Sequence, residues 1–139
     1  MSNKIILTKV KIKKIGYIEV KSSYNYSNNF NNNHVKVELL TNCLDVYTGN
    51  PIPKEVNVIF NFNYVNYQNA FDQIFLPYIT IDKDNQYFVG DIIGKEFLAV
   101  FRLKYNELYD CEYYLIKSLI SLEHVHLLLD NKEVDSSNE

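Results

Sequence analysis

His124 and His126, two residues apart in "EHVHLLLD", are the nearest this sequence comes to a reactive pair. On a strand they point to the same side, a real two-ligand geometry, and histidine is the usual general base and metal ligand. A zinc site needs a third ligand and usually a fourth. Beyond the pair, His34, Glu123 and the distant Cys43 and Cys111 are the candidates, so no metal site is assigned. "DKDNQYFVG", residues 82–90, opens like a calcium loop, with Asp82, Asp84 and Gln86 at alternate positions. That loop wants glycine sixth and glutamate twelfth; Tyr87 and Ile93 stand there, and a β-turn is the better reading. No GxSxG, GxGxxG or GxxxxGK[ST] occurs, nor any recognisable pair of catalytic acids. The expectation is a non-enzyme with no catalytic residue and no cofactor.

Binding chemistry has more material. In "KVKIKK" Lys9, Lys11 and Lys13 occupy alternate positions and share one strand face about 7 Å apart, with Lys14 following. The first reading of this row is a solvated face guarded against aggregation. The second is contact with anionic lipid head groups or an acidic protein partner. Nucleic acid is disfavoured, because Arg102 is the single arginine and the net charge is −3. Tyr24, Tyr26 and Phe30 lie in the polar run "SSYNYSNNFNNNH", where no core requires them. They are read either as contact residues of an interface or inserted membrane anchor, or as the background of AT-rich coding.

These residues sit on elements that are mostly strands. Ile6, Thr8, Val10, Ile12, Ile18 and Val20 alternate with charged residues, which predicts one long strand with a bulge or bend near Lys14 and Gly16. The asparagine-rich run of residues 22–34 reads as a mobile loop. Val35, Val37 and Leu39 resume the alternation, residues 45–54 supply turn chemistry, and Val56, Val58, Phe60 and Phe62 share the face of another strand. Phe71, Ile74 and Phe75 recur at helical spacing before Pro77, predicting one short helix. "YITI", "YFVGDIIG" and "KEFLAVFRLKY" read as three strands, the last with Phe97, Ala99, Phe101 and Leu103 inward. Leu108, Cys111, Leu115, Leu119 and Leu122 fit a helical face, although Tyr113–Ile116 also suits a strand; helix is favoured over 108–122. "EHVHLLLD" is expected to be a last strand.

The fold class that follows is α+β, predominantly β: a twisted antiparallel sheet packed against one or two helices. A chain of 139 residues fits one domain, assigned to 1–130, with 131–139 a disordered acidic tail. Residues 1–21 carry six lysines against Glu19, whereas residues 106–139 carry eight acids against Lys117 and Lys132; such asymmetry orients encounters. Two cysteines far apart suit a reducing compartment and buried thiols. No apolar run approaches about 18 residues, so no transmembrane helix is expected. The N-terminus lacks the order of a classical signal peptide, which implies a cytoplasmic protein or one released without such a signal.

Three phrases resemble the smallest OrfX-type proteins of clostridial, botulinum-like neurotoxin gene clusters. They are "KIGYIEVKSSYNYS", "VNVIFNFN" and above all "FDQIFLPYITIDKDNQYFVGDIIGKEFLAVFRLKYNELYDCEYYL". The resemblance spans most of the chain and consists of strand and turn text without a catalytic signature. It implies an accessory protein encoded beside a neurotoxin. Larger members of that group resemble tubular lipid-binding (TULIP) proteins, in which a curved sheet wraps a long helix. This chain is too short for such a tube, so the resemblance implies that it completes the sheet of a larger OrfX-type partner; docking through an exposed strand edge is the expected mode, because main-chain pairing gives affinity without a side-chain motif. A stand-alone binder of anionic lipid through Lys9, Lys11, Lys13 and Lys14 is the alternative, and a small metal-dependent enzyme around His124 and His126 the outsider.

Overall fold

The structure, a computed structural model, describes residues 4–21, 30–84 and 86–122, with the backbone alone for 19–21 and 30–32. The expected class is observed: a five-stranded antiparallel sheet and one α-helix. Its strands are β1 (Lys4–Lys21), β2 (Phe30–Thr41), β3 (Glu55–Asn61), β6 (Glu96–Asn106) and β7 (Cys111–Ser121), in the order β3-β2-β1-β6-β7. Between β3 and β6 lie helix α1 (Val65–Phe75), the two-residue strands β4 (Thr80–Ile81) and β5 (Tyr87–Phe88), and a 3₁₀ turn at Gly90–Ile92. The edge strands β3 and β7 run parallel and approach each other, and α1 touches both. The sheet is thus rolled into a partly open barrel with the helix at its seam.

Alternation dictates which face is inside. Ile6, Val10, Ile12, Val35, Val37, Leu39, Val56, Val58, Phe60, Phe97, Ala99, Phe101 and Leu103 are buried, and Phe71, Ile74 and Phe75 of α1 close over them. The helix packs through rings: Phe71 stacks on Phe75 at 4.6 Å and meets Phe60, Phe62 and Tyr87 edge-on at 5.3–5.5 Å. It ends at Phe75, with Leu76 still in helical geometry and donating its amide to Asp72 O, and Pro77, which has no N–H to donate, cannot extend the ladder.

β1 is long because it serves two neighbours in turn. Its N-terminal half pairs with β6 from Lys4 to Lys11, and its C-terminal half pairs with β2 from Val10 to Lys21. The two pairings overlap at Val10–Lys11, and the expected bulge lies just beyond, within the stretch paired with β2, where the register passes from Ile12↔Leu39 to Lys14↔Glu38. The extra residue resets the alternation, so Ile15 is buried and Ile18 pairs with His34, away from the even-numbered apolar face expected for it. Gly16 does not form the bulge, and a Cβ there would meet nothing within 4 Å.

Three other expectations are corrected. β2 begins at Phe30, so residues 30–34 belong to a strand and not to the asparagine-rich loop. "YFVGDIIG" is a two-residue strand followed by a 3₁₀ turn, because the peptide folds back at Gly94, whose φ of +85° suits glycine. The favoured helix over 108–122 is instead strand β7, joined to β6 by a turn in which Asn106 Oδ1 accepts the amides of Leu108 and Tyr109 at 3.0 and 3.3 Å. The helical face read from the sequence is not a buried one, since Leu108 and Cys111 are exposed; the bulge opposite Val100–Phe101 instead lets β7 bury Ile116 and Leu119, three residues apart. The expected last strand and acidic tail, including His124 and His126, lie outside the described residues.

Candidate functional site

The lysine row is on the outer face of the sheet, where Lys9, Lys11, Lys13 and Lys14 are all exposed. Two of them are engaged. Lys9 Nζ lies 3.1 Å from Glu96 Oε2, and Lys13 Nζ lies 3.1 Å from Glu55 Oε1 and 4.0 Å from Glu38 Oε1. The pairs arise because β6 brings Glu96 beside β1 while β2 and β3 bring Glu38 and Glu55. Lys11 and Lys14 form no ion pair among the described residues. Tyr24 and Tyr26 lie outside those residues, and of Phe30 only the backbone is described, at the start of β2.

Below the bulge, the side of β1 facing away from β6 is covered by the 42–50 segment. Leu7 donates its amide to Asp45 Oδ1 at 3.1 Å, Val46 donates to Leu7 O at 2.7 Å, and Asn42 donates to Lys9 O at 3.2 Å. Thr8, fully buried, donates its hydroxyl to Asn42 Oδ1 at 2.9 Å. Asp45 is 4% exposed and also accepts from the Tyr47 amide and the Thr48 hydroxyl. Burial raises its pKa, but the hydrogen bonds from Thr48, Leu7 and Tyr47 outweigh that and hold the carboxyl below its ordinary value.

Above the bulge no described strand pairs with the opposite side of β1. Its main-chain link to the β6 side ends at Ile12, which donates to Lys95 O at 3.0 Å and accepts from the Gly94 amide at 2.7 Å. Gly94 then turns the chain away, while β1 continues, paired among the described strands with β2 alone. Ile15 and Tyr17 take up the orientation of Ile12 once the bulge has reset the alternation, so their N–H and C=O groups face that open side. No backbone hydrogen bond among the described residues reaches them there.

Beside this edge is an apolar cleft of about 110 Å³ lined by Ile15, Gly16, Tyr17, Val35, Phe62, Phe71, Tyr87 and Val89. Tyr17 is 60% exposed and meets Phe62 edge-on at 6.4 Å. At the cleft's rim the Tyr87 hydroxyl donates to Asp72 Oδ1 at 2.8 Å and accepts from Gln68 Nε2 at 3.3 Å. Burial, with the Asp72 carboxylate adding to it, pushes the Tyr87 phenol above its ordinary value.

The reactive candidates do not converge. Asp82 Oδ1 accepts the amides of Asp84 and Gln86 at 2.9 and 2.8 Å, so its carboxylate organises a turn between β4 and β5. Cys43 and Cys111 are free and both exposed, contrary to the expectation of buried thiols. Among the described residues no group of three or more His, Cys, Asp or Glu side chains could hold a metal ion, and no helix is long and apolar enough to cross a membrane. Sequence reasoning missed the cleft and the open edge. A glycine inside a strand pattern at Gly16, followed by an aromatic, was the available signal, since such glycines mark places where another backbone approaches.

Comparison with known proteins finds no matching family model, no matching curated protein and no matching solved structure.

Proposed function

We propose that this chain is a non-enzymatic accessory protein that binds a larger OrfX-type partner and contributes to a TULIP-like, lipid-binding assembly of a neurotoxin gene cluster. The observation that carries the reading is the open edge of β1 beside an apolar cleft, because main-chain pairing supplies affinity without a side-chain motif. The phrases that resemble the OrfX group supply the identity of the partner. Action in the cytoplasm of the producing bacterium, or after release without a classical signal peptide, belongs to the same reading. The lipid alternative draws less support, since Lys9 and Lys13 are already neutralised by glutamates on their own sheet.

Co-expression with the larger OrfX-type protein, tagged and captured, tests the proposal. Stoichiometric recovery of the untagged small chain is expected, and its consistent absence from the captured material would refute it.

A further inference from the structure

We infer that the open edge of β1 at Ile15–Tyr17 receives an extended acidic segment of a partner protein, which adds a strand in line with β6 and inserts one apolar side chain into the adjacent cleft. This rests on the partner-binding reading above and names its site.

The backbone sets the class of ligand. Ile15 and Tyr17 offer N–H and C=O groups at the two-residue repeat of a strand, with nothing among the described residues bonded to them. Such a ladder is satisfied by another extended polypeptide, not by an acyl chain. The place for it exists because Gly94 leads the chain away at the point where β6 would otherwise run alongside Ile15. The cleft sets the side chain: about 110 Å³ lined by apolar groups is space for one aromatic ring or branched aliphatic group. Charge sets the flanks. Lys14 adjoins the edge and Lys95 stands where β6 begins, and neither is ion-paired among the described residues, unlike Lys9 and Lys13.

The test follows amide hydrogen exchange in the full chain, alone and with the larger OrfX-type protein. The Ile15 and Tyr17 amides are expected to exchange freely alone and to become protected in the complex. Tyr17→Pro removes an amide that faces the open side and leaves the β1–β2 ladder intact, since proline is tolerated where a strand's N–H faces outward. It is expected to weaken binding about tenfold or more, the loss of at least one main-chain hydrogen bond and a clash with the added strand. Tyr17→Ala, which keeps the amide, should weaken it much less. Val89→Phe fills the cleft and is a second variant should Tyr17→Pro fail to fold by circular dichroism. A complex equally tight with Tyr17→Pro and Val89→Phe overturns the edge assignment and leaves partner binding standing. No complex with the unaltered chain overturns both. Protection in the chain alone also overturns the assignment: if lost in Leu127→Asp/Leu128→Asp/Leu129→Asp, the chain's own C-terminal segment fills the edge, and if it grows with concentration, a second copy does.

Discussion

Asp45 accepts the Leu7 amide at 3.1 Å, so a carboxylate in a loop, not a sixth strand, closes the lower edge of β1. Among the described residues the upper edge has no such device, and the contrast marks where the proposed partner strand would pair.

Asp45→Ala should cost about 2 kcal/mol, because it leaves buried amides without an acceptor, and should raise exchange at Leu7 first. The folded-state pKa of Asp45 is depressed, so its stabilisation is complete above the unfolded value and is lost as pH falls through the folded one. Urea midpoints measured between about pH 6 and pH 3 should therefore fall toward acid, and less steeply in Asp45→Asn.

For the lysine row, replacing Lys9, Lys11, Lys13 and Lys14 together by glutamate is expected to leave sedimentation with anionic vesicles unchanged, since Lys9 and Lys13 are already paired with Glu96 and Glu55. Loss of vesicle binding on that change would restore the lipid alternative. Lys13→Ala alone should cost about 0.5 kcal/mol or less in thermal unfolding, because its pair with Glu55 is half exposed.

Much of the sheet was legible because strands with one buried face alternate, and Val35–Leu39, Val56–Phe60 and Phe97–Leu103 carry that pattern without interruption. Two of the failures lay at bulges, whereas the early start of β2 and the turn at Gly94 did not. The bulge at Lys13–Lys14 hid the inward turn of Ile15, and the bulge in β7 broke the alternation that would have marked 111–121 as a strand. The candidate site was illegible for a different reason. An open edge is defined by where another strand departs, and Gly94 is distant in sequence from Ile15 and Tyr17.

Phe71 is central to the packing of α1, so Phe71→Ala should destabilise by about 3–5 kcal/mol. The cleft would enlarge as the ring is lost, and an environment-sensitive apolar dye should bind the variant more strongly than the parent while circular dichroism still reports a folded sheet.

Gly94→Ala should cost about 1–2 kcal/mol, since φ of +85° strains any residue with a Cβ and the same amide holds Ile12 O. Thermal unfolding reads this, and Gly49→Ala, at φ +74° in a turn far from the edge, shows whether a comparable strain leaves partner binding unaltered.

Size-exclusion chromatography with light scattering, on this chain alone and mixed with the larger OrfX-type protein, tests the central claim most directly. A joint peak of defined stoichiometry that persists on dilution is the predicted result. Two separate peaks at micromolar concentration would contradict the account.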